Sequence, residues 1–213
     1  MDKLDLKKEQ GAMYRQPAGK ISVIEVPPQQ YLMVDGFGDP NNSKLFQDAI
    51  EALYGLSYTL KFMLKKQGRT DYGVMPLEGL WWTEDMANFS VEKRDAWLWT
   101  LMILQPSFIT NTDVEEARKQ LMAKKEVILL SKVRLETMNE GKCAQILHVG
   151  PFSEEPPTIE RLHQYINENG YTLRGKHREV YLSDMRRTAP EKLKTIIRQP
   201  VDVGSARKAT ISA

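Results

Sequence analysis

Cysteine is nearly absent from this chain, and several other features that identify protein classes are missing with it. Cys143 is the single cysteine, so neither an internal disulfide nor a cysteine-based metal cluster can form. No apolar run is long enough to span a bilayer, and the charged N-terminus lacks the apolar centre of a signal peptide. The sequence therefore predicts a cytoplasmic protein with no membrane partner.

An excess of charge of one sign is also lacking. The 213 residues include 30 Lys and Arg against 28 Asp and Glu, a formal net charge of +2, with the basic residues scattered. A nucleic-acid-binding protein would concentrate them in a stripe. His148, His163 and His177 are not spaced like a metal pair, and no glycine-rich phosphate loop or serine elbow occurs. We therefore expect no metal, no cofactor and no direct nucleic-acid binding, while a protein partner stays undefined.

What the chain does contain is a regular succession of strand-like and helix-like segments. Residues 1–20 are polar and predict a loosely attached arm, residues 21–203 a single domain, and residues 204–213 a disordered tail. The predicted elements of the domain are strand 30–34, helix 44–66, strands 74–82 and 96–104, helix 113–130, strand 142–149, helix 158–169, and strands 177–183 and 193–198.

The order strand, helix, strand, strand occurs twice, which predicts an α+β domain made by duplication of a βαββ unit. The first repeat covers about 21–106, a linking helix about 112–131, and the second repeat about 133–203. Two antiparallel sheet halves related by a pseudo-twofold axis would leave a ligand cleft at their junction. The alternative is two similar layouts by chance. The matched positions are Gly36-Phe37 with Gly150 and Phe152, Glu78-Gly79-Leu80 with Glu179-Val180-Tyr181, and Gln105-Pro106 with Gln199-Pro200.

Tryptophan is concentrated in one stretch of the chain. All four tryptophans lie between Trp81 and Trp99, on two predicted neighbouring strands. They favour either ordinary core packing or an aromatic wall that binds flat rings by stacking and cations by the ring quadrupole. On the second interpretation, the residues expected to contact a small aromatic ligand are Phe37, Glu78, Trp82, Trp97, Trp99 and Phe152.

Glu179 is the most informative carboxylate, because it lies inside an apolar strand between His177 and Tyr181. A carboxylate that faces a core must be paired, hydrogen-bonded or protonated. One interpretation is a salt bridge to Lys or Arg on a neighbouring strand. The other is a pocket carboxylate that acts as counter-charge for a cationic ligand or as a general base. Glu78 has the same two interpretations.

Six segments taken together resemble the GyrI-like small-molecule-binding family, over a match that runs from about residue 6 to 203. They are residues 31–40 (YLMVDGFGDP), 76–82 (PLEGLWW), 97–106 (WLWTLMILQP), 147–152 (LHVGPF), 179–184 (EVYLSD) and 186–194 (RRTAPEKLK). The resemblance implies a duplicated βαββ fold of the SOUL-like type, with helices packed on one side. It also implies a pocket at the pseudo-twofold junction with a central glutamate.

Within that family the chain resembles stand-alone bacterial members that include cyclopropanoid cyclopropyl hydrolases. That resemblance implies an aromatic cage for a DNA-alkylating compound and hydrolysis of its strained cyclopropane, which would protect the cell. Glu179 would activate the water and Tyr181 would supply a hydrogen bond. The alternative is a non-catalytic protein that binds, sequesters or senses drugs.

Overall fold

The computed structural model describes residues 3–84 and 94–204. The predicted tail therefore lies, beyond Gly204, outside the described residues. The α-helices are α1 (Leu6–Glu9), α2 (Gly11–Tyr14), α3 (Lys44–Lys66), α4 (Asn111–Met122) and α5 (Pro156–Glu168). The β-strands are β1 (Lys3–Leu4), β2 (Ile21–Val26), β3 (Gln29–Phe37), β4 (Asp71–Tyr72), β5 (Leu77–Trp82), β6 (Leu98–Gln105), β7 (Arg134–Met138), β8 (Gly141–Val149), β9 (Tyr171–Leu173), β10 (His177–Tyr181) and β11 (Lys194–Val203).

One large antiparallel sheet organises the described residues. Its strands run in the order β2-β8-β11-β10-β5-β6-β3-β7, and β9 adds to β11. The units β3-α3-β5-β6 and β8-α5-β10-β11 thus lie side by side and meet where β5 pairs with β10. The predicted α+β fold with a duplicated βαββ unit is confirmed. A separate pair, β1 and β4, is parallel.

The two units also share a detail at the end of their first strand. The amide of Gly38 donates to the carbonyl of Trp97 (2.8 Å), and the amide of Gly150 donates to that of Leu193 (3.0 Å). Both glycines have positive φ angles, 91° and 141°, which residues with a side chain rarely adopt. A glycine with a positive φ angle therefore extends the pairing between the first and last strands of each unit.

The two long helices cover one face of this sheet. Ser43 caps α3 by accepting from the amide of Phe46 (3.2 Å), and the Phe46 ring then packs on Trp81 and Trp99. In the second unit, α5 contributes Leu162 and Ile166 to a core cluster on β8 and β11. The expected packing on one side is thus seen for α3 and α5. None of the helices within the described ranges has both the length and the apolar character needed to cross a bilayer.

The N-terminal segment differs from the expected loose arm, because it packs on the opposite face of the sheet. Its Leu6, Met13 and Tyr14 side chains are buried. The side-chain amide of Gln145 on β8 donates to the carbonyl of Ala12 (2.8 Å). Three apolar side chains anchor this segment. The charged residues between them mask the hydrophobic pattern in the sequence, so the packing was not predicted.

The ends of α4 and β11 differ most from the sequence prediction. The helix α4 ends at Met122 instead of near residue 130, and the side chain of Arg118 donates to the carbonyl of Val133 (2.7 Å) in the turn that follows. The strand β11 continues to Val203, past the proline predicted to end it. Pro200 lies where the partner of β11 changes from β8 to β9, so its missing N–H disrupts no continuous ladder.

Candidate functional site

The junction of the two units brings β5 and β10 together in a defined register. Gly79 lies opposite Glu179, and Glu78 lies opposite Val180. Since successive side chains of a strand alternate between faces, Glu78 and Glu179 project to opposite sides of the sheet. The matched sequence positions, which align these two glutamates, are therefore one residue out of register.

Glu179 lies on the helix-covered face within a chain of hydrogen bonds. Its Oε2 accepts from the hydroxyl of Tyr181 (2.7 Å), and Nε2 of His177 lies 3.2 Å from its Oε1. The Tyr181 hydroxyl in turn accepts from the indole N–H of Trp81 (3.1 Å). The Glu179 side chain is only 13% exposed, and the contacts described here come from a phenol and an imidazole, with no lysine or arginine among them.

Gly79 makes room for this cluster. A Cβ at Gly79 would lie 2.8 Å from the indole nitrogen of Trp81 and 3.1 Å from the hydroxyl of Tyr181. Contacts that short would displace the donor and the acceptor of the bond between them. The residue opposite Glu179 is therefore restricted to glycine by close approach.

The proton of Tyr181 is held firmly. Burial raises the pKa of Tyr181 well above its ordinary value, and the nearby charge of Glu179 raises it further. The phenol therefore stays a donor throughout the neutral range. Because it already donates to Glu179, Tyr181 orients that carboxylate instead of offering a free hydroxyl to a ligand.

A second carboxyl, Glu155, reaches the same cluster from the start of α5. It is 5% exposed, and both Glu179 and Thr195 lie close enough to influence its pKa. Burial, and then the charge of Glu179, raises the pKa of Glu155 to about 9. The two glutamates thus form a pair in which Glu155 keeps a proton at neutral pH.

Aromatic rings lie beside Tyr181 in this cluster. Phe152 meets Tyr181 edge to face, with ring centroids 5.7 Å apart, and Trp81 meets Trp97 in the same way at 5.5 Å. Of the predicted ligand contacts, Phe152 therefore touches Tyr181 directly, whereas Trp97 touches Trp81. Trp81, which the predicted contact set omits, joins them.

Trp99 shares this face but belongs to the core. It is completely buried, and the Phe46 ring packs against its ring at 5.3 Å. A Cβ on Gly36 of β3 would lie 2.0 Å from its ring. The core-packing interpretation therefore describes Trp99.

Two predicted ligand contacts, Phe37 and Trp82, lie on the other face. Phe37 and Trp82 both pair with Leu98, and Leu98 is out of phase with Trp99. Phe37 is 65% exposed, and the ammonium of Lys176 lies 3.1 Å from the centre of the Trp82 ring. The structure does not bring them to Glu179.

Glu78 belongs to an ion-pair network on that other face. Its Oε2 accepts from Nε of Arg178 (2.9 Å), and Glu78 also accepts from the hydroxyl of Tyr14. Arg178 pairs as well with Glu140 and donates to the hydroxyl of Tyr31 (2.7 Å). Burial alone would lower the pKa of Arg178, but the two carboxylates hold it above its ordinary value. The salt-bridge interpretation thus describes Glu78.

One cavity lies away from the carboxyl pair. It has a volume of about 940 Å³ and is an open groove along α1, bordered by Lys8, Gln29, Gln105 and Phe108 among others. Its lining includes no residue of the Glu179 cluster. We favour the junction as the site, because it holds two buried carboxyl groups side by side, one of them with a raised pKa.

Sequence reasoning missed His177, Thr195, Trp81 and Glu155 as members of the site. Alternation along β10 places His177 on the same face as Glu179, so His177 could have been predicted as a site residue. The signal for Glu155 is its position before Pro156 and Pro157, because these prolines have no N–H groups that the side chain could cap. Within the described ranges, no group of three or more His, Cys, Asp or Glu side chains could hold a metal ion.

The profile of the GyrI-like small molecule binding domain matches residues 19–202. The chain belongs to the GyrI-like family. The predicted membership is confirmed, and a small molecule is the ligand class of this domain. No curated protein sequence matches the chain.

Solved structures agree with this assignment. An uncharacterized conserved protein from Listeria innocua is 42% identical, covers 93% of this chain and 100% of its own, and has a TM-score of 0.87. A hydrolase from Listeria innocua is also 42% identical, covers 94% and 100%, and has a TM-score of 0.85. The C-terminal domain of EcmrR, at 14% identity, 86% and 97% coverage and a TM-score of 0.53, shares the fold.

Proposed function

We propose that this GyrI-like protein is a hydrolase that binds flat, hydrophobic aromatic compounds and opens a strained cyclopropane by addition of water. DNA-alkylating cyclopropanoid compounds are the proposed substrate class, and their destruction would protect the cell. A similar protein of 42% identity is a hydrolase, which supports a catalytic role.

The observation that carries the proposal is the buried carboxylate of Glu179, which contacts a phenol and an imidazole and lies close to aromatic rings. Glu179 accepts from Tyr181, and Phe152 and Trp81 flank that tyrosine. An arginine or lysine on Glu179 would consume its basicity, whereas phenol and imidazole partners orient it and leave it able to take a proton. Flat rings suit the surrounding aromatic edges and faces.

The proposed reaction needs only modest assistance, because a cyclopropane joined to a cyclohexadienone is already electrophilic. The oxygen of water forms a bond to the ring CH₂, and the ring C–C bond breaks. Its electron pair moves into the dienone, whose oxygen becomes a phenolate. A proton from the water passes to Glu179 and later reaches that phenolate, so the net change is the addition of one water. Positioning and general-base assistance can supply this chemistry.

The test uses a synthetic spirocyclopropyl cyclohexadienone that carries an aromatic ring. Mass spectrometry should show a gain of one water with the unaltered protein, at many turnovers per molecule. Glu179→Gln should lower turnover by about 10²- to 10⁴-fold, the usual contribution of a general base, while binding is retained. Glu154→Gln, a change at an exposed glutamate, is the matched control.

Two results would contradict the proposal. Equal turnover by Glu179→Gln and the unaltered protein would remove the role of Glu179. Recovery of unchanged probe in stoichiometric complex would instead favour the alternative, a protein that binds and sequesters drugs without catalysis.

A further inference from the structure

The oxygens of Glu179 are already occupied by protein groups. Oε2 accepts from the Tyr181 hydroxyl at 2.7 Å, and His177 Nε2 lies 3.2 Å from Oε1 and donates to it whenever that nitrogen carries its proton. Each of these bonds uses a lone pair of the carboxylate. A reacting water would therefore compete poorly for direct contact with Glu179.

Glu155 and Thr195 provide the opposite situation beside it. Oε1 of Glu155 and Oγ1 of Thr195 are both buried, and neither has a hydrogen-bond partner among the described residues. Thr195 pairs with Tyr181 across β10 and β11, so its side chain lies on the face of Glu179. Buried polar atoms without a protein partner usually bond to water or to a ligand. Both oxygen atoms are therefore available to bind one water molecule.

The local sequence explains why the Glu155 side chain is available. It precedes α5 and occupies the N-cap position, where a side chain ordinarily accepts from the first helical amides. Here the next two residues are Pro156 and Pro157, which have no N–H to donate. The amides of Thr158 and Ile159 bond to the backbone carbonyl of Glu155 instead (2.8 and 3.0 Å). The carboxyl makes no cap bond and faces the sheet.

We infer that Glu155, assisted by Thr195, holds the reacting water and relays its proton to Glu179. This inference rests on the proposed function and identifies a further catalytic residue for it. Glu155 is protonated at neutral pH and can therefore act at both oxygens at once. Its Oε1 takes a proton from the water as the water oxygen bonds to the ring carbon, and its own proton passes to Glu179. Glu155 ends neutral, and Glu179 later releases the proton to the phenolate through solvent.

The deciding variant is Glu155→Gln, because glutamine has the shape and charge of the protonated glutamic acid. A structural role would survive this change, whereas a relay would not, since an amide does not pass on a proton. Turnover of the spirocyclopropyl dienone probe should fall about 10²- to 10⁴-fold. Binding of the probe should be unchanged. Thr195→Val should lower turnover by about 10-fold, the value of one hydrogen bond, and Glu154→Gln should leave it unaltered.

The outcomes separate this inference from the proposed function. If Glu179→Gln is inactive but Glu155→Gln turns over at the unaltered rate, the relay is wrong and the hydrolase proposal stands. If the unaltered protein does not convert the probe, both fail. Infrared spectroscopy adds a readout independent of turnover: the band of a protonated carboxyl should be present at pH 7, absent in Glu155→Gln and present in Glu154→Gln. Its absence from the unaltered protein would overturn the inference.

Discussion

The two faces of the β5–β10 junction contain buried carboxylates one residue apart in register, yet they have different consequences. On one face Glu78 pairs with Arg178, which also pairs with Glu140, and the N-terminal Tyr14 adds a hydrogen bond. On the other face Glu179 meets a tyrosine, a histidine and a second glutamic acid. A buried carboxylate with a guanidinium partner stays ionised and fixed, whereas one with neutral partners can exchange protons. The arginine partner of Glu78 therefore distinguishes this structural carboxylate from Glu179, the candidate catalytic carboxylate.

The largest expected effect compares the two glutamates directly. Glu78→Gln removes one of the two carboxylates that pair with the buried Arg178 and should lower the free energy of unfolding by about 3–5 kcal/mol. Glu179→Gln should change it by less than about 1 kcal/mol, because no full ion pair is broken. Urea unfolding measures both. Equal destabilisation by the two variants would refute the distinction between the faces.

A second comparison concerns pH. In the folded protein the pKa of Glu155 is raised from 4.5 to about 9, so between these values the folded state binds more protons than the unfolded chain. Its contribution to stability is therefore fully present below about pH 4.5 and declines as pH rises toward about 9. Glu155→Gln should lose this slope and be the more stable protein at pH 8.

Thermal unfolding measured from pH 5 to 9 tests this expectation, with Glu154→Gln as the control that keeps the slope. A slope that persists in Glu155→Gln would assign the effect to another group. No such decline is expected from the opposite face, where Arg178 keeps its charge throughout this range.

The smallest expected effect compares neighbouring tryptophans. Trp81→Phe removes the indole donor to Tyr181 and should lower turnover of the dienone probe by about 10-fold, the value of one hydrogen bond. Trp82→Phe makes the same change on the other face and should leave turnover unaltered. Steady-state kinetics measures both. A larger loss of turnover in Trp82→Phe than in Trp81→Phe would indicate that the ligand binds on the face of Trp82 and would contradict the proposed site.

Periodicity and turn residues were sufficient to predict most of the framework. The helix predicted over residues 44–66 has those bounds, since its apolar spacing, the Ser43 cap and Gly68 all act locally. Duplication followed from the repeated order of elements. The N-terminal segment was misjudged, because Met13 and Tyr14 gain their burial from strands far along the chain.

The candidate site was predicted only in part. The structure brings Glu179 and Tyr181, both selected from the sequence, into hydrogen-bonding contact. Phe37 and Trp82 were grouped with them, although they lie on the other face. Glu155 was not selected, because the two prolines after it indicate only that its side chain makes no cap bond, whereas its place beside Glu179 depends on how α5 packs on the sheet.

The sequence by itself determined the elements, their repeat and the family, since these depend on spacing within a segment. Only the tertiary structure decided which face each strand residue occupies at the junction. The side-chain period of a strand is two, so an alignment shift of one residue exchanges the faces. Because of this one-residue shift, Glu78 does not occupy the position equivalent to Glu179. It lies on the opposite face, in an ion pair with Arg178. The neighbouring carboxyl of Glu179 is instead Glu155, which comes from a different element.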